Sequence, residues 1–309
     1  MRTTPRRRPL KVGFQLPEVE RPVGWPELRE MALVGEQAGF DSIWVGDHLL
    51  YRHEGKPSEG PWEAWSQLAA IAAITSKIEL GPLVACTSFH NPAMLAKKAA
   101  TIDEISGGRL ILGLGAGWNE GDYAPFGFPF DHRISRFEEA FTIIRTLLRD
   151  GSIDFEGRYY SARDCELIPR GPRNGQIPLL IGSSGERMLS ITAPWMDAWN
   201  AWYDTYGNVP IGIAPLTERV DAALAAAGRD PASVERTVAI HVRLPGAIGR
   251  SHGTENGRIA ALEGPPDVIA DGLAAFARAG IGHVQLVIDP ITVGSLERLA
   301  AVLEILDRG

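Results

Sequence analysis

Asp47 and His48 stand side by side after the apolar run Ser42–Gly46 (SIWVG), and their types suggest chemistry at a strand end. An imidazole titrates near neutrality, so a histidine in that place suits proton transfer, although most lone histidines do no more than satisfy loop backbone. The stretch Gly182-Ser183-Ser184-Gly185-Glu186-Arg187 offers a second possibility. A strand stops, small residues let a ligand approach the backbone, and a helix begins. Free N–H groups, two hydroxyls and the positive end of a helix are then open to a phosphate. The plain alternative is a capped helix with Ser184 as N-cap.

Other chemistries lack their residues. His48, His53 and His90 do not have the spacing of a metal site, and no His-x-His pair follows the first strand, so no metal is expected. No Gly-x-Ser-x-Gly elbow occurs, which removes acyl transfer by an activated serine. Gly113-Leu114-Gly115-Ala116-Gly117 reads GxGxG rather than GxGxxG and follows a fourth strand, so it is not a dinucleotide fingerprint. Cys86 and Cys165 make no CxxC pair and no disulfide framework, which fits a reducing cytoplasm. Cys86, near the exit of the third strand, reads as a small buried residue.

The elements that must position these residues follow one pattern. Short runs rich in Val, Ile and Leu alternate with longer amphipathic segments, beginning with Lys11–Leu16 (KVGFQL) and a helix over Trp25–Ala38 closed by Gly39. Further strands are expected at Ser42–Gly46, Ile78–Val84, Arg109–Leu114, Pro178–Ile181, Ala198–Trp202, Thr237–Leu244 and His283–Ile288. Eight strand–helix units whose strands read as continuous apolar runs close most simply into one (β/α)₈ TIM barrel with small insertions. Residues 1–10, with Arg6-Arg7-Arg8 and no apolar segment behind them, read as a flexible basic tail, and residues 11–309 as the barrel. A hairpin-like insertion is expected near 151–169, turning at Glu156-Gly157.

In such a barrel the loops after the strands build the site. The strand ends supply Gln15, Asp47-His48, Pro82 to Cys86, Gly115 to Asn119, the Gly182 turn, Trp202-Tyr203 and Asp289. Glycines and aromatics with few carboxylates suit a flat aromatic ligand. The net charge of −7 over 309 residues, with no basic face, argues against nucleic acid. No run of about 18 apolar residues argues for a membrane span.

The residues also carry a resemblance. Ser42–His48 (SIWVGDH), Asn91–Gly127 (NPAMLAKKAATIDEISGGRLILGLGAGWNEGDYAPFG), Ile177–Gly185 (IPLLIGSSG) and Asp197–Asn200 (DAWN) strongly resemble the luciferase-like monooxygenase superfamily. Within it they are most similar to the branch of coenzyme F420-dependent oxidoreductases, over nearly the whole chain from Lys11 to Leu306. The resemblance implies a ring lying across the barrel mouth on a bulge with a non-prolyl cis peptide at Leu83-Val84. It implies cofactor contacts from Asp47, His48, Leu83, Val84, Gly117, Asn119 (or Glu120) and the turn Gly182, Ser183, Ser184, Gly185, Glu186 and Arg187. His48 would be the catalytic residue, and Gln15, Trp118 and Trp202 would line a pocket for a small apolar or aromatic substrate.

The expected cofactor is F420, with hydride passing between its C5 and the substrate. The alternative is FMN, with monooxygenation and a partner reductase, and a further one is a flavin-binding protein without turnover. The family's habit implies a homodimer. Where the sugar-phosphate dehydrogenases of this family carry a glutamate, this chain has Trp118, and no cluster of lysines marks the mouth, so the resemblance does not extend to glucose-6-phosphate oxidation.

Overall fold

The computed structural model describes residues 8–52, 55, 57–248 and 259–309. In chain order its strands are β1 (Lys11–Gln15), β2 (Ser42–Val45), β3 (Glu79–Pro82), β4 (Ala85–Cys86), β5 (Leu112–Gly115), β6 (Ser152–Glu156) and β7 (Ser161–Glu166). They continue with β8 (Leu179–Ile181), β9 (Ala198–Ala201), β10 (Glu235–Arg243), β11 (Leu262–Glu263) and β12 (His283–Asp289). The helices are α1 (Trp25–Ala38), α2 (Ala64–Ile74), α3 (Pro92–Ser106), α4 (Arg133–Asp150), α5 (Glu186–Thr192), α6 (Ala214–Ala226), α7 (Pro266–Arg278) and α8 (Val293–Arg308).

The main sheet runs β3-β2-β1-β12-β10-β9-β8-β5-β4, with every neighbouring pair parallel and β11 beside β10. Its two ends are halves of one chain segment, because only Leu83 and Val84 separate β3 from β4. β3 also reaches the segment leading into β5: Leu80 bridges Leu110, and the Ile111 N–H donates to the Leu80 carbonyl at 2.9 Å. The sheet therefore closes into an eight-stranded barrel. The seam needs a small residue, since a Cβ on Gly81 would lie 2.1 Å from the Ile111 carbonyl oxygen. The third strand, expected as one run over Ile78–Val84, is instead broken by a cis peptide at Leu83–Val84, where the bulge was expected.

Strands buried on both faces explain the unbroken apolar runs. All seven residues of β12 and all four of β2, β5 and β9 are buried. Polar groups inside the barrel pair with one another: Asn200 donates to the Thr237 hydroxyl at 2.8 Å and to Gln285 at 2.7 Å. Helix ends follow local chemistry. Gly39 and Gly107 close α1 and α3 in the left-handed conformation, while Glu63 and Asn91 cap α2 and α3 by accepting backbone N–H groups.

β6 and β7 pair antiparallel as a separate two-stranded sheet. Glu139 of α4 holds their turn by accepting the N–H groups of Arg158, Tyr159 and Tyr160 at 2.8, 2.8 and 3.0 Å. The basic tail read over residues 1–10 needs correction at its inner end. Arg8 is buried and hydrogen-bonded to Asp41, Asp307 and the Gly39 carbonyl, and Leu10 joins the core, so the two anchor the chain to the base of the barrel. Residues 1–7, Arg6 and Arg7 among them, lie outside the described residues. No described helix is long and apolar enough to cross a membrane.

Candidate active site

The end of β2 delivers Asp47 and His48 in opposite directions. Asp47 is buried, and its Oδ2 accepts the Cys86 N–H at 2.9 Å and lies 2.9 Å from His90 Nε2. It thereby ties the β2 exit to β4, immediately after the Leu83–Val84 bulge. His90 in turn meets the Trp65 indole, whose Nε1 lies 3.2 Å away. Asp47 thus braces the Leu83–Val84 bulge.

His48 faces the loop after β5. Its Nδ1 lies 2.8 Å from Asp122 Oδ2, and Asp122 Oδ1 accepts the N–H groups of Leu49 and Leu50 at 3.0 and 2.7 Å. Tyr51 and Trp118 flank the imidazole at ring-centre distances of 4.9 and 5.5 Å. Burial works against the imidazolium, but the Asp122 hydrogen bond and the charges of Glu18, Asp122 and Asp47 outweigh it and raise the His48 pKa above its ordinary value. Burial works upward on Asp122 too, yet its bond from His48 and the two backbone N–H groups hold its carboxyl below the usual range. A buried carboxylate and a histidine inclined to carry charge therefore face each other at the barrel mouth.

The bulge is shaped by its neighbours. Val84 sits against three glycines: a Cβ on Gly113 or Gly182 would come within 3.0 Å of its methyls, and one on Gly115 within 2.7 Å. Missing Cβ atoms on β5 and after β8 thus let Val84 reach across the mouth, while Leu83 is buried. Gly117 has φ +76°, and a Cβ there would lie 2.0 Å from the Tyr123 hydroxyl and 2.5 Å from Cys86 Sγ. Its carbonyl accepts from Arg133. Cys86 is packed inside: its Sγ lies 3.2 Å from the Tyr123 hydroxyl, and burial pushes the thiol up to about 12, so it is no nucleophile.

The turn from Gly182 to Arg187 leaves its hydroxyls available. Gly185, not Ser184, occupies the N-cap of α5 and makes no side-chain cap, and the Ser183 hydroxyl makes only a 3.4 Å contact with the Gly185 N–H. The capped-helix alternative is thereby overturned. Trp199, fully buried in the barrel, donates to the Ser183 carbonyl at 2.8 Å and fixes the turn from beneath. Glu186 is exposed, and Arg187 turns outward to Ser135 and Glu138 at 3.0 and 3.1 Å. A cavity of about 310 Å³ opens beside it, lined by Phe130, His132, Arg133, Ile134, Ser135 and Arg187.

Of the expected pocket residues, Gln15 is buried at the β1 exit, where its Nε2 donates to Glu18 at 3.1 Å while its Oε1 meets no partner among the described residues. Trp118 is 62% exposed, with only its edge toward His48, and Trp202 is half-buried against Tyr203. Asn119 uses its amide within the loops, accepting from the Gly121 N–H and donating to the Leu50 carbonyl at 3.2 Å. Trp44 and Trp199 are core. Sequence reasoning missed Asp122, His90, Glu18 and Tyr51. The signal nearest at hand was the acidic cluster Glu120-Gly121-Asp122 behind β5, of which only Glu120 had been considered. Among the described residues no group of His, Cys, Asp and Glu could hold a metal ion.

A mostly parallel barrel, a cis bulge after its third strand and a histidine–carboxylate pair at its mouth define a class of protein that comparison makes specific. Residues 12–244 match the luciferase-like monooxygenase family, and the chain belongs to it. The F420-dependent glucose-6-phosphate dehydrogenase of Amycolatopsis mediterranei is 35% identical over 182 residues, covering 57% of this chain and 52% of that protein. Pyrimidine monooxygenase RutA of Agrobacterium fabrum is 31% identical over 221 residues, 69% of this chain and 59% of the relative. The chain thus spans between half and three fifths of these relatives' lengths. An F420-dependent secondary alcohol dehydrogenase, solved with an F420–acetone adduct, superposes with a TM-score of 0.75 at 20% identity, covering 95% of this chain and 99% of the other.

Proposed function

We propose that this chain is an oxidoreductase that uses coenzyme F420 to move hydride to or from a small apolar or aromatic organic compound. The observation that carries the reading is the joint placement of the Leu83–Val84 bulge, the His48–Asp122 pair and the open turn after β8 on one rim of the barrel. The relatives named for F420 supply the class of cofactor.

The residues present fit such a group. Val84, seated among glycines, offers an apolar surface to one face of a flat ring. The Gln15 Oε1, buried and without a partner among the described residues, is an acceptor open to a polar edge. Ser183, Ser184 and the backbone N–H groups of Gly185 to Arg187 would take the phosphate, with Gly182 keeping the backbone close. When bound, F420 supplies a carbon that gives or takes hydride. The protein orients substrate and ring against each other and manages the proton. His48 would hold or release that proton at Nε2, which makes no hydrogen bond among the described residues, while the side chain keeps 18% of its surface open. Trp118 and Trp202 would form the apolar walls for the substrate.

A second reading has its own support in the similarity to a pyrimidine monooxygenase: FMN as cofactor, oxygen as co-substrate and a reductase as partner. Titrating the purified protein with F420 and with FMN while following fluorescence separates the two. Saturable micromolar binding of F420 without FMN is expected. Binding of FMN alone would replace the first reading with the second, and binding of neither would overturn both.

A further inference from the structure

We propose that Asp122 is the positioning residue of His48: it keeps the ring proton on Nδ1 and leaves Nε2, at the mouth, as the atom that accepts and returns a proton. The inference rests on the reading of His48 as the proton-handling group and goes beyond it by assigning the tautomer and its cause.

The two oxygens of Asp122 divide the work. Oδ1 is committed to the backbone N–H groups of Leu49 and Leu50, and Oδ2 faces His48 Nδ1 at 2.8 Å. An ionised carboxylate only accepts, so Nδ1 must be the donor and a neutral ring must present a bare Nε2. The carboxyl is buried, and its three bonds favour the ionised form. Among the described residues the charged groups that act on the ring are acidic: Asp122 from the loop after β5, Glu18 from the loop after β1 and Asp47 from the preceding residue. The rings of Tyr51 and Trp118 also flank it.

This geometry makes one conservative change informative. In Asp122→Asn the two backbone donors fix the carbonyl oxygen in the place of Oδ1, so the NH₂ group must occupy the place of Oδ2. A donor then meets Nδ1, which can only accept, and the proton moves to Nε2. The shape of the site survives while the tautomer inverts, the same logic by which the aspartate of a Ser-His-Asp triad acts.

The test is NMR of ¹⁵N-histidine-labelled protein without cofactor. The wild type should show His48 protonated at Nδ1 when neutral. Asp122→Asn should show it protonated at Nε2, with an apparent pKa lower by about one unit or more, since a full negative charge has been removed. Asp122→Ala serves as the control, losing the Leu49 and Leu50 anchors as well. A merely structural role predicts that Asp122→Asn, which keeps those anchors, leaves tautomer and pKa unchanged. That result, or a wild-type His48 protonated at Nε2, would overturn the proposal. In turnover, Asp122→Asn should lower kcat at least tenfold with KM little changed, and a fall confined to KM would also count against it. Because the NMR readout needs no cofactor, a failure of F420 to bind would leave it standing, and an unchanged tautomer in an F420-active enzyme would overturn it alone.

Discussion

His48 and His283 lie at opposite ends of one barrel, and their surroundings push the same imidazole in opposite directions. His283 opens β12 at the base, where its Nε2 lies 2.7 Å from the Ser42 hydroxyl, which also accepts from Trp44 Nε1 at 2.7 Å. Among the described residues no carboxylate is hydrogen-bonded to it. Burial, reinforced by the Lys11 charge, lowers its pKa to about 3. His48 is also largely enclosed, yet three carboxylates reverse the balance and raise it. Burial alone does not make a histidine chemical; burial beside an ionised partner does. The base of the barrel uses its histidine as a neutral packing and hydrogen-bonding unit, and the mouth keeps one ready to change charge. That division matches the separation of stability and chemistry between the two faces of barrels of this kind.

The contrast breaks most visibly if the two ends are exchanged. His48→Ala should reduce turnover by roughly 10²–10⁴-fold, the usual worth of a positioned acid–base group. Trp44→Ala, which empties the fully buried site above His283, should cost ~3–5 kcal/mol of stability measured by denaturant unfolding. Full turnover in the first variant, or an unchanged midpoint in the second, would erase the distinction.

Acid sharpens it further. Below pH 6.5 the unfolded chain protonates His283 and the native barrel does not, so stability falls as pH drops from 6.5 toward 3, by about 2 kcal/mol at pH 5 from this group alone. A His283→Gln variant, compared with the wild type across that range, should lose this part of the acid slope. His48 works with the opposite sign. Its raised pKa adds stability that is complete below 6.5 and disappears as pH climbs through the folded value. The stability gap between wild type and His48→Gln should therefore narrow as pH rises above 6.5.

The sequence made the barrel readable because its strands are apolar throughout and its helices carry local caps, signals that need only neighbours within a few positions. Asp47, His48 and the Gly182 turn were singled out the same way, each at a strand end, whereas the Leu83–Val84 bulge was expected only from the family resemblance. Asp122 was missed, since it meets His48 across 74 positions and lies in an irregular loop with no periodicity to betray it. The glycines around Val84 belong to the same category: Gly113 and Gly115 stand on β5 and Gly182 follows β8, and only the pairing of β5 with β4 and β8 gathers them on one side chain. Arg8 was misread because three arginines in a row look like a solvated tail, while its partners Asp41 and Asp307 come from far along the chain.

The cofactor is expected at the mouth beside His48 and nowhere near His283. Histidine-labelled protein titrated with F420 tests it directly by NMR. The His48 ring resonances should shift saturably with added F420 while those of His283 stay fixed. Movement of His283 with a stationary His48 would contradict it.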